Sequence, residues 1–194
     1  MPKVSWSADR AGDNMELEEY KSILTAARKP FLDLLSSCST AEITRKPDQE
    51  SWCSIETFQH LVQSDVYHFA DILRPLNNDQ FDLITLFGSK VESDTTKIFQ
   101  TIPSPDGQMS KVDLLGLQND IYEIFFEGLG SYADQFGLNN STLHHPVFGD
   151  LRGLQWLNFY VFHDWNHYIQ GAVSAKQLGV IPDYDPYGIP SPTQ

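Results

Sequence analysis

Four segments of this chain repeat apolar residues at the spacing of an amphipathic helix, and this pattern restricts the fold more than any other feature. The segments run from about residue 16 to 37, 55 to 73, 110 to 136 and 151 to 178. Residues three and four apart lie on one face of a helix, so each segment has an apolar stripe to bury against other helices. The sequence therefore predicts an all-α protein whose four helices form a four-helix bundle.

The second segment has a clear stripe and carries a histidine outside it. The stripe consists of Ile55, Phe58, Val62, Val66, Phe69 and Leu73. Ser54 precedes the stripe and is a better candidate for the helix cap than Cys53. His60 lies nearly opposite the stripe, beside Ser64 and Tyr67. We therefore expect the face that carries His60 to be exposed to solvent.

The length of 194 residues fits one domain with loose ends. Residues 1–15 are polar and are interpreted as a loose arm, and residues 16–178 as the bundle. Residues 179–194 are rich in proline and form a tail that cannot be helical. Residues 79–108 are interpreted as a long irregular insertion between the second and third helices.

The insertion could be a lid over a functional site or a variable surface segment. His60 lies about 13 residues before the end of its helix, which is roughly 20 Å along the bundle axis. This distance favours a cap on the far end of the bundle over a lid. The loop between the third and fourth helices is short, so these two are predicted to be antiparallel neighbours.

The charge of the chain excludes two classes of partner. Its formal net charge is −13, which opposes binding to nucleic acid and to anionic membrane surfaces. No apolar run approaches the roughly 20 residues of a membrane span, and the first residues lack the apolar core of a secretory signal. Two cysteines are too few for a disulfide framework. The sequence therefore predicts a cytoplasmic protein.

The most informative polar feature is a pair of histidines, His163 and His167, four residues apart on the fourth predicted helix. Both imidazoles leave the same helix face about one turn apart, a spacing that suits two ligands of one metal ion. His60 could supply the third ligand, and three protein ligands are typical of a catalytic site. Chance spacing is the alternative, and Asp164 points about 100° away from His163, so no catalytic residue is assigned. His68 and His144 are interpreted as surface residues.

Two stretches resemble the motifs of DinB-like proteins. Residues 52–61 read WCSIETFQHL, which is similar to the Trp-Ser-x-x-Glu-x-x-x-His-Leu opening of the second helix in that family. Residues 145–149 read HPVFG and are followed by His163 and His167, which resembles the family's His-Pro-x-x-Gly stretch and its closing His-x-x-x-His helix. The resemblance covers roughly residues 16–178.

This resemblance implies a four-helix bundle that binds a divalent metal ion, zinc or nickel, through His60, His163 and His167. It also implies a metal-dependent hydrolase or a thiol-dependent S-transferase acting on a small-molecule substrate, with a low-molecular-weight thiol as a second reactant. The alternative is a non-catalytic helical bundle that binds a small ligand or a protein partner. The sequence leaves both a monomer and a homodimer open.

Overall fold

A computed structural model describes residues 16–76, 104–137, 142–145 and 149–180, with backbone alone at 142–145 and at Leu154. Within these ranges the α-helices are α1 (Leu17–Ser37), α2 (Thr40–Ile43), α3 (Ser54–Leu73), α4 (Lys111–Phe136) and α5 (Gly153–Gln177). A 3-10 turn, Arg74–Leu76, follows α3, and two short strands, β1 (Thr142–His145) and β2 (Gly149–Arg152), precede α5. The predicted arm and most of the predicted tail lie outside the described residues.

The prediction of an all-α four-helix bundle is confirmed, with α1, α3, α4 and α5 as its members. The sequence did not reveal α2, which is a single turn between α1 and α3. It also placed a loop where β1 and β2 form an antiparallel hairpin, with Thr142 opposite Arg152 and His145 opposite Gly149. None of the helices in the described ranges is both long and apolar enough to cross a membrane.

α1 and α5 run parallel, and α3 runs antiparallel to both. Near the start of α1, the Tyr20 hydroxyl donates to the backbone oxygen of Gly153 at the start of α5 (3.2 Å). Further along both helices, the ring of Phe31 packs against Gly171. The first residue of α3, Ser54, donates from its hydroxyl to the backbone oxygen of Gly171 near the end of α5 (3.0 Å). The start of α3 therefore meets the far end of α5.

α4 runs parallel to α3. The rings of Phe69 and Phe125 stack with centroids 3.7 Å apart, and one turn further on Leu73 packs on Gly128. Side by side around the bundle the order is α1, α5, α3, α4, with α4 returning to α1. The prediction that the third and fourth helices are neighbours is therefore wrong: α4 and α5 are antiparallel but lie diagonally opposite. The length of a loop alone does not show whether it joins neighbouring helices or helices that lie diagonally opposite.

Because α3 and α4 are parallel, the predicted insertion connects opposite ends of the bundle. α3 ends at one end of the bundle, whereas Asp106 and Gly107 lie beside the first half of α3 at the other. The Gln59 amide donates to Asp106 Oδ1, and the Gly107 backbone N–H donates to Gln59 Oε1, both over 3.0 Å. The described ends of the connection thus lie at opposite ends of the bundle, so the distance from His60 to the end of α3 does not decide between a lid and a cap. Residues 77–103 lie outside the described residues, so the choice between lid and cap stays a prediction.

α3 is the most enclosed helix of the bundle. All six residues of its predicted stripe are buried, and so is the face that was expected to be exposed: Thr57 and Ser64 have no accessible surface. The expectation of a solvent-exposed His60 face was therefore wrong. α5 packs against this side through Phe159 and Tyr160, which lie 5.2 and 5.7 Å from the His68 ring between centroids.

The predicted cap of the second helix is displaced by one residue. Cys53 occupies the cap position, and its backbone N–H donates to Glu56 Oε2 (3.0 Å). This hydrogen bond satisfies a donor that the first turn of a helix would otherwise leave unpaired. The Ser54 hydroxyl, which sequence reasoning assigned to capping, instead joins α3 to α5 at Gly171.

We expect Gly171→Ala to lower the free energy of unfolding by about 1–3 kcal/mol through overpacking. A methyl group at this position would lie 2.7 Å from Phe31 Cζ. The Phe31 ring is buried and packs edge-on against Phe58 at 5.2 Å, so it has little room to retreat. Urea unfolding followed by circular dichroism measures the change.

The matched control is Gly116→Ala in α4, where nothing lies within 4 Å of the added methyl group. That substitution should raise the free energy of unfolding by about 0.5–1 kcal/mol, because alanine favours a helix interior. If both substitutions stabilised the protein alike, the close packing of α1 on α5 would be contradicted.

Candidate metal centre

His60, His163 and His167 lie together between α3 and α5. The His60 ring centroid is 4.7 Å from that of His167 and 5.9 Å from that of His163. The rings of His163 and His167 are 4.6 Å apart. One nitrogen from each ring lies within 4.8 Å of the other two. The structure thus brings together the three residues that the sequence singled out.

Two local features hold the His60 side of the cluster. Trp52, just before α3, lies over His60 with ring centroids 5.1 Å apart. The Trp52 backbone oxygen accepts a hydrogen bond from the Ser174 hydroxyl of α5 (2.8 Å), which fixes this segment against α5. The eight-residue spacing between Trp52 and His60 therefore has a physical role: it places an aromatic wall over the histidine.

The hydrogen bond that His167 forms with Gln170 leaves the other ring nitrogen of His167 available as a metal ligand. His167 Nδ1 lies 2.9 Å from Gln170 Oε1, an acceptor, so Nδ1 carries the proton and Nε2 keeps its lone pair. A partner of this kind orients metal-ligating histidines. His163 Nδ1 is buried and has no hydrogen-bond partner within the described part of the chain. His60 Nε2 lies 3.5 Å from the Ser64 hydroxyl oxygen.

The cluster is uncharged at neutral pH. Burial, followed by the nearby His167, lowers the pKa of His60 to about 4. Burial also lowers the pKa of His163 well below its ordinary value, and His167, His68 and His60 lower it further. The pKa of His167 is lowered by burial, against a smaller opposing effect of the Gln170 hydrogen bond. Neutral imidazoles are the form that binds a metal ion.

These residues fit a divalent metal ion. Nitrogen ligands at about 2.0–2.1 Å in a tetrahedral arrangement are separated by about 3.4 Å, and the three imidazole nitrogens lie within 4.8 Å of one another, a cluster of comparable size. Imidazole suits both zinc and nickel. Among the described residues the buried Nδ1 of His163 has no hydrogen-bond partner, and a buried polar atom of this kind is costly unless something binds it.

A buried ion network lies next to the cluster, and sequence reasoning missed it. Arg28 of α1 donates to Asp65 of α3 from Nη2 (2.8 Å) and to both carboxylate oxygens of Asp164 of α5 (2.7 and 3.1 Å). All three side chains are almost completely buried. Burial alone would lower the pKa of Arg28, but Asp164 and Asp65 hold it well above its ordinary value. The sequence does contain a sign of this network, because Arg28, Asp65 and Asp164 each lie within the apolar stripe of their helix, where a charged residue is unusual.

The carboxylate of Asp164 is bound by Arg28 of this network and does not point toward the histidines. Its side chain leaves α5 on the side of α1, where it forms the two-point contact with Arg28. The sequence-based expectation that Asp164 points away from His163 agrees with this contact. The described contacts of Asp164 therefore give it a structural role between α1 and α5.

His68 is buried and was wrongly interpreted as a surface residue. Only 3% of it is exposed, and its ring lies 5.8 Å from that of His163. The reason is the enclosure of α3 by α5, which the amphipathic pattern of α3 alone does not reveal. His68 does not belong to the group of residues that could share a metal ion. The side chain of His144 lies outside the described residues.

A surface cavity of about 500 Å³ adjoins the cluster. Described residues that line it are Pro47, Glu50, Ser51, Trp52, Gln170, Val173, Ser174 and Gln177. Trp52 also contacts His60, and Gln170 also contacts His167, so the cavity and the histidines share two residues. Gln170 thus lines the cavity and is also a hydrogen-bonding partner of His167 inside the bundle.

The fold and the histidine cluster define a four-helix-bundle protein with a candidate metal centre between two helices. A family model for the DinB superfamily matches residues 23–170. The chain belongs to the DinB superfamily, as its two motifs indicated. Members of this superfamily commonly bind a metal ion.

Comparison with solved structures supports the same fold. The chain is similar to TT2238, a four-helix bundle protein known from a crystal structure, with 21% sequence identity and a TM-score of 0.51. The similarity covers 79% of this chain and 95% of TT2238. At this level of identity the likeness concerns the fold alone. No curated protein matches the chain.

We expect Arg28→Met to lower the free energy of unfolding by about 3–5 kcal/mol near pH 8, because it leaves two buried carboxylates without a cation. The control is Lys29→Met on the same helix, which removes an exposed ion pair with Asp33 and should cost less than about 0.5 kcal/mol. Chemical denaturation measures both. Equal costs for the two substitutions would contradict the importance of the buried network.

Asp65→Asn should change how stability depends on pH. Burial, strengthened by Asp164 and opposed by Arg28, raises the pKa of Asp65 to about 7. Because the folded pKa lies above the unfolded value of about 3.9, the stabilising contribution of the proton is complete below pH 4 and is lost as pH rises to 7. The variant has no such titration. The difference in the free energy of unfolding, variant minus wild type, should therefore increase by a few kcal/mol as pH rises from 4 to 8.

Denaturation series at several pH values test this expectation. Asp33→Asn is the control, since that side chain is largely exposed on α1, and its stability should follow that of the wild type. A constant difference between Asp65→Asn and wild type across this pH range would contradict a protonated Asp65 in the folded protein.

Proposed function

We propose that this protein binds one divalent metal ion, zinc or nickel, through His60, His163 and His167, and that it is a metal-dependent hydrolase or thiol-dependent S-transferase. The observation that carries the proposal is the convergence of three neutral imidazoles from two helices, one of which has a buried nitrogen without a hydrogen-bond partner among the described residues. Family membership supports it, because metal binding is common in the superfamily.

When bound, such an ion supplies positive charge that lowers the pKa of a water molecule or a thiol, so that a nucleophile forms at neutral pH. Three neutral ligands leave that charge undiminished, unlike a set that contains carboxylates. Gln170 orients the His167 ring, and Trp52 shields His60 from water. The cavity beside Trp52 and Gln170 is open to solvent and has room for a small molecule next to the residues that flank the histidines.

The surroundings of the cluster favour a thiol over water as the nucleophile. Asp164 is held by Arg28, and Glu56 is held by Lys46 (2.9 Å) and the Cys53 backbone. Across the described ranges, no carboxylate hydrogen-bonds to any of the three histidines, so an obvious general base is missing. A thiol ionises far more readily than water and needs less help from a base.

The same lack of a general base supports the second candidate, a bundle that binds a small ligand or a protein partner without catalysis. Under this alternative the histidines and the cavity form a binding site only. Metal content and turnover, measured on the same preparation, distinguish the two candidates.

We expect the untagged protein to carry close to one equivalent of zinc or nickel, as measured by elemental analysis after metal-supplemented expression. His60→Ala, His163→Ala and His167→Ala should each weaken metal binding by more than about a hundredfold. Loss of a residue that only hydrogen-bonds to a ligand costs up to about that much, and loss of the ligand itself should cost more. His68→Ala and His144→Ala are the controls and should keep the metal. Circular dichroism verifies that each variant folds.

Two results would contradict this proposal. Less than roughly a tenth of an equivalent of metal in the wild type would remove the basis of the mechanism. Equal retention in all five variants would show that the metal lies elsewhere. For the metal-loaded protein, metal-dependent consumption of a small thiol with an electrophile supports the transferase, whereas ester cleavage without thiol supports the hydrolase.

A further inference from the structure

The cavity beside the histidines has two walls of different origin. One wall is the segment before α3, with Pro47, Glu50, Ser51 and Trp52, and the other is the last part of α5. It meets the cluster on the side of His60 and His167, through Trp52 and Gln170. A molecule in the cavity would therefore lie next to the candidate metal centre.

The first wall is built as a fixed turn. Asp48 Oδ1 accepts hydrogen bonds from the backbone N–H groups of Glu50 (2.9 Å) and Ser51 (2.7 Å). Asp48 Oδ2 accepts a third from the Ser51 hydroxyl (2.8 Å). The Ser174 hydroxyl then attaches the end of this turn to α5 at Trp52. The cavity is thus pre-formed, which lowers the entropic cost of binding a ligand.

The chemistry of the walls selects the charge of the ligand. Among the described residues that line the cavity, Glu50 alone is charged, and it forms no ion pair in the described part of the chain. Lys46, the nearest cation in sequence, is occupied by Glu56. The chain as a whole carries −13. Among the described lining residues, a carboxylate or phosphate would thus meet only like charge.

Trp52 adds a second preference for cations. An ammonium group is attracted to the face of an indole ring, more than to any other aromatic side chain. Trp52 is half-buried and lines the cavity together with Val173, so it offers both an aromatic face and apolar contact. A carboxylate and an indole in one small cavity together suit an organic ammonium ion.

We propose that this cavity binds the ammonium group of an amine-bearing organic substrate, with Glu50 as the specificity-determining residue and Trp52 as the aromatic wall. The inference rests on the proposed function, since it takes the cavity as the substrate site of the metal centre. It narrows the substrate class to amines and selects against small anionic substrates.

Three probes of the same shape test the proposal on the full chain: 2-phenylethylamine, 2-phenylethanol and 3-phenylpropionate. Their binding is followed by nitrogen-15 NMR through the Trp52 indole N–H signal, assigned with Trp52→Phe. We expect the amine to shift this signal and to bind about fivefold more tightly than the alcohol, as one solvent-accessible ion pair allows. The carboxylate should not bind measurably.

Glu50→Gln should abolish the preference for the amine and leave the alcohol unaffected. Glu123→Gln is the matched control, because it removes the same charge from an exposed position on α4, the helix diagonally opposite α5. It should keep the preference. Equal losses in both variants would show only a long-range charge effect and would overturn the proposal. Tighter binding of the carboxylate, or no binding by any probe at millimolar concentration, would overturn it as well.

Elemental analysis of the same samples separates this inference from the proposed function. A Glu50-dependent preference in a protein that holds no metal would support the amine site and contradict the metal mechanism. A metal-loaded protein without the preference would support the metal centre and overturn the amine site.

Discussion

The contact between Arg28 and its two carboxylates is the interaction on which the arrangement of the bundle depends. Arg28 lies on α1, reaches Asp65 on α3 and Asp164 on α5, and packs against Tyr122 on α4, with its guanidinium carbon 5.5 Å from the ring centroid. One side chain thus contacts all three other long helices. Any shift of one helix along another would leave a buried charge of this network without its partner, which is costly.

This constraint extends to the histidine cluster through Asp164, which follows His163 directly in the chain. When Arg28 holds Asp164, α5 can present His163 and His167 only toward α3. α3 is held at the same height by Asp65, five residues after His60. The network therefore joins both helices that supply the candidate ligands to α1, close to the histidines. The enclosure that results lowers the pKa of all three histidines and leaves them neutral.

The two halves of the bundle along its axis differ in what they contain, and α3 and α4 run parallel from one half to the other. Asp106 and Gly107, which precede α4, lie beside the first half of α3 at Gln59. The segment before α3 and the end of α5 meet at the same end and form the cavity. The half of the bundle where α3 begins thus contains the histidines, the cavity and the two segments that form the cavity. The other half, around Phe69 and Phe125, is a packed aromatic core.

The sequence by itself determined the four helices, the buried stripe of α3, the family and the three histidines, since periodicity and short spacings reflect local geometry. His163 and His167 share a face whatever surrounds them, because four residues make about one helical turn. Only the tertiary structure decided that α4 lies parallel to α3, that the faces of His60 and His68 are buried, and that Arg28 joins Asp65 and Asp164. These outcomes depend on which helices become neighbours. That choice is made by packing and ion pairing between residues up to 136 positions apart, which no local pattern records.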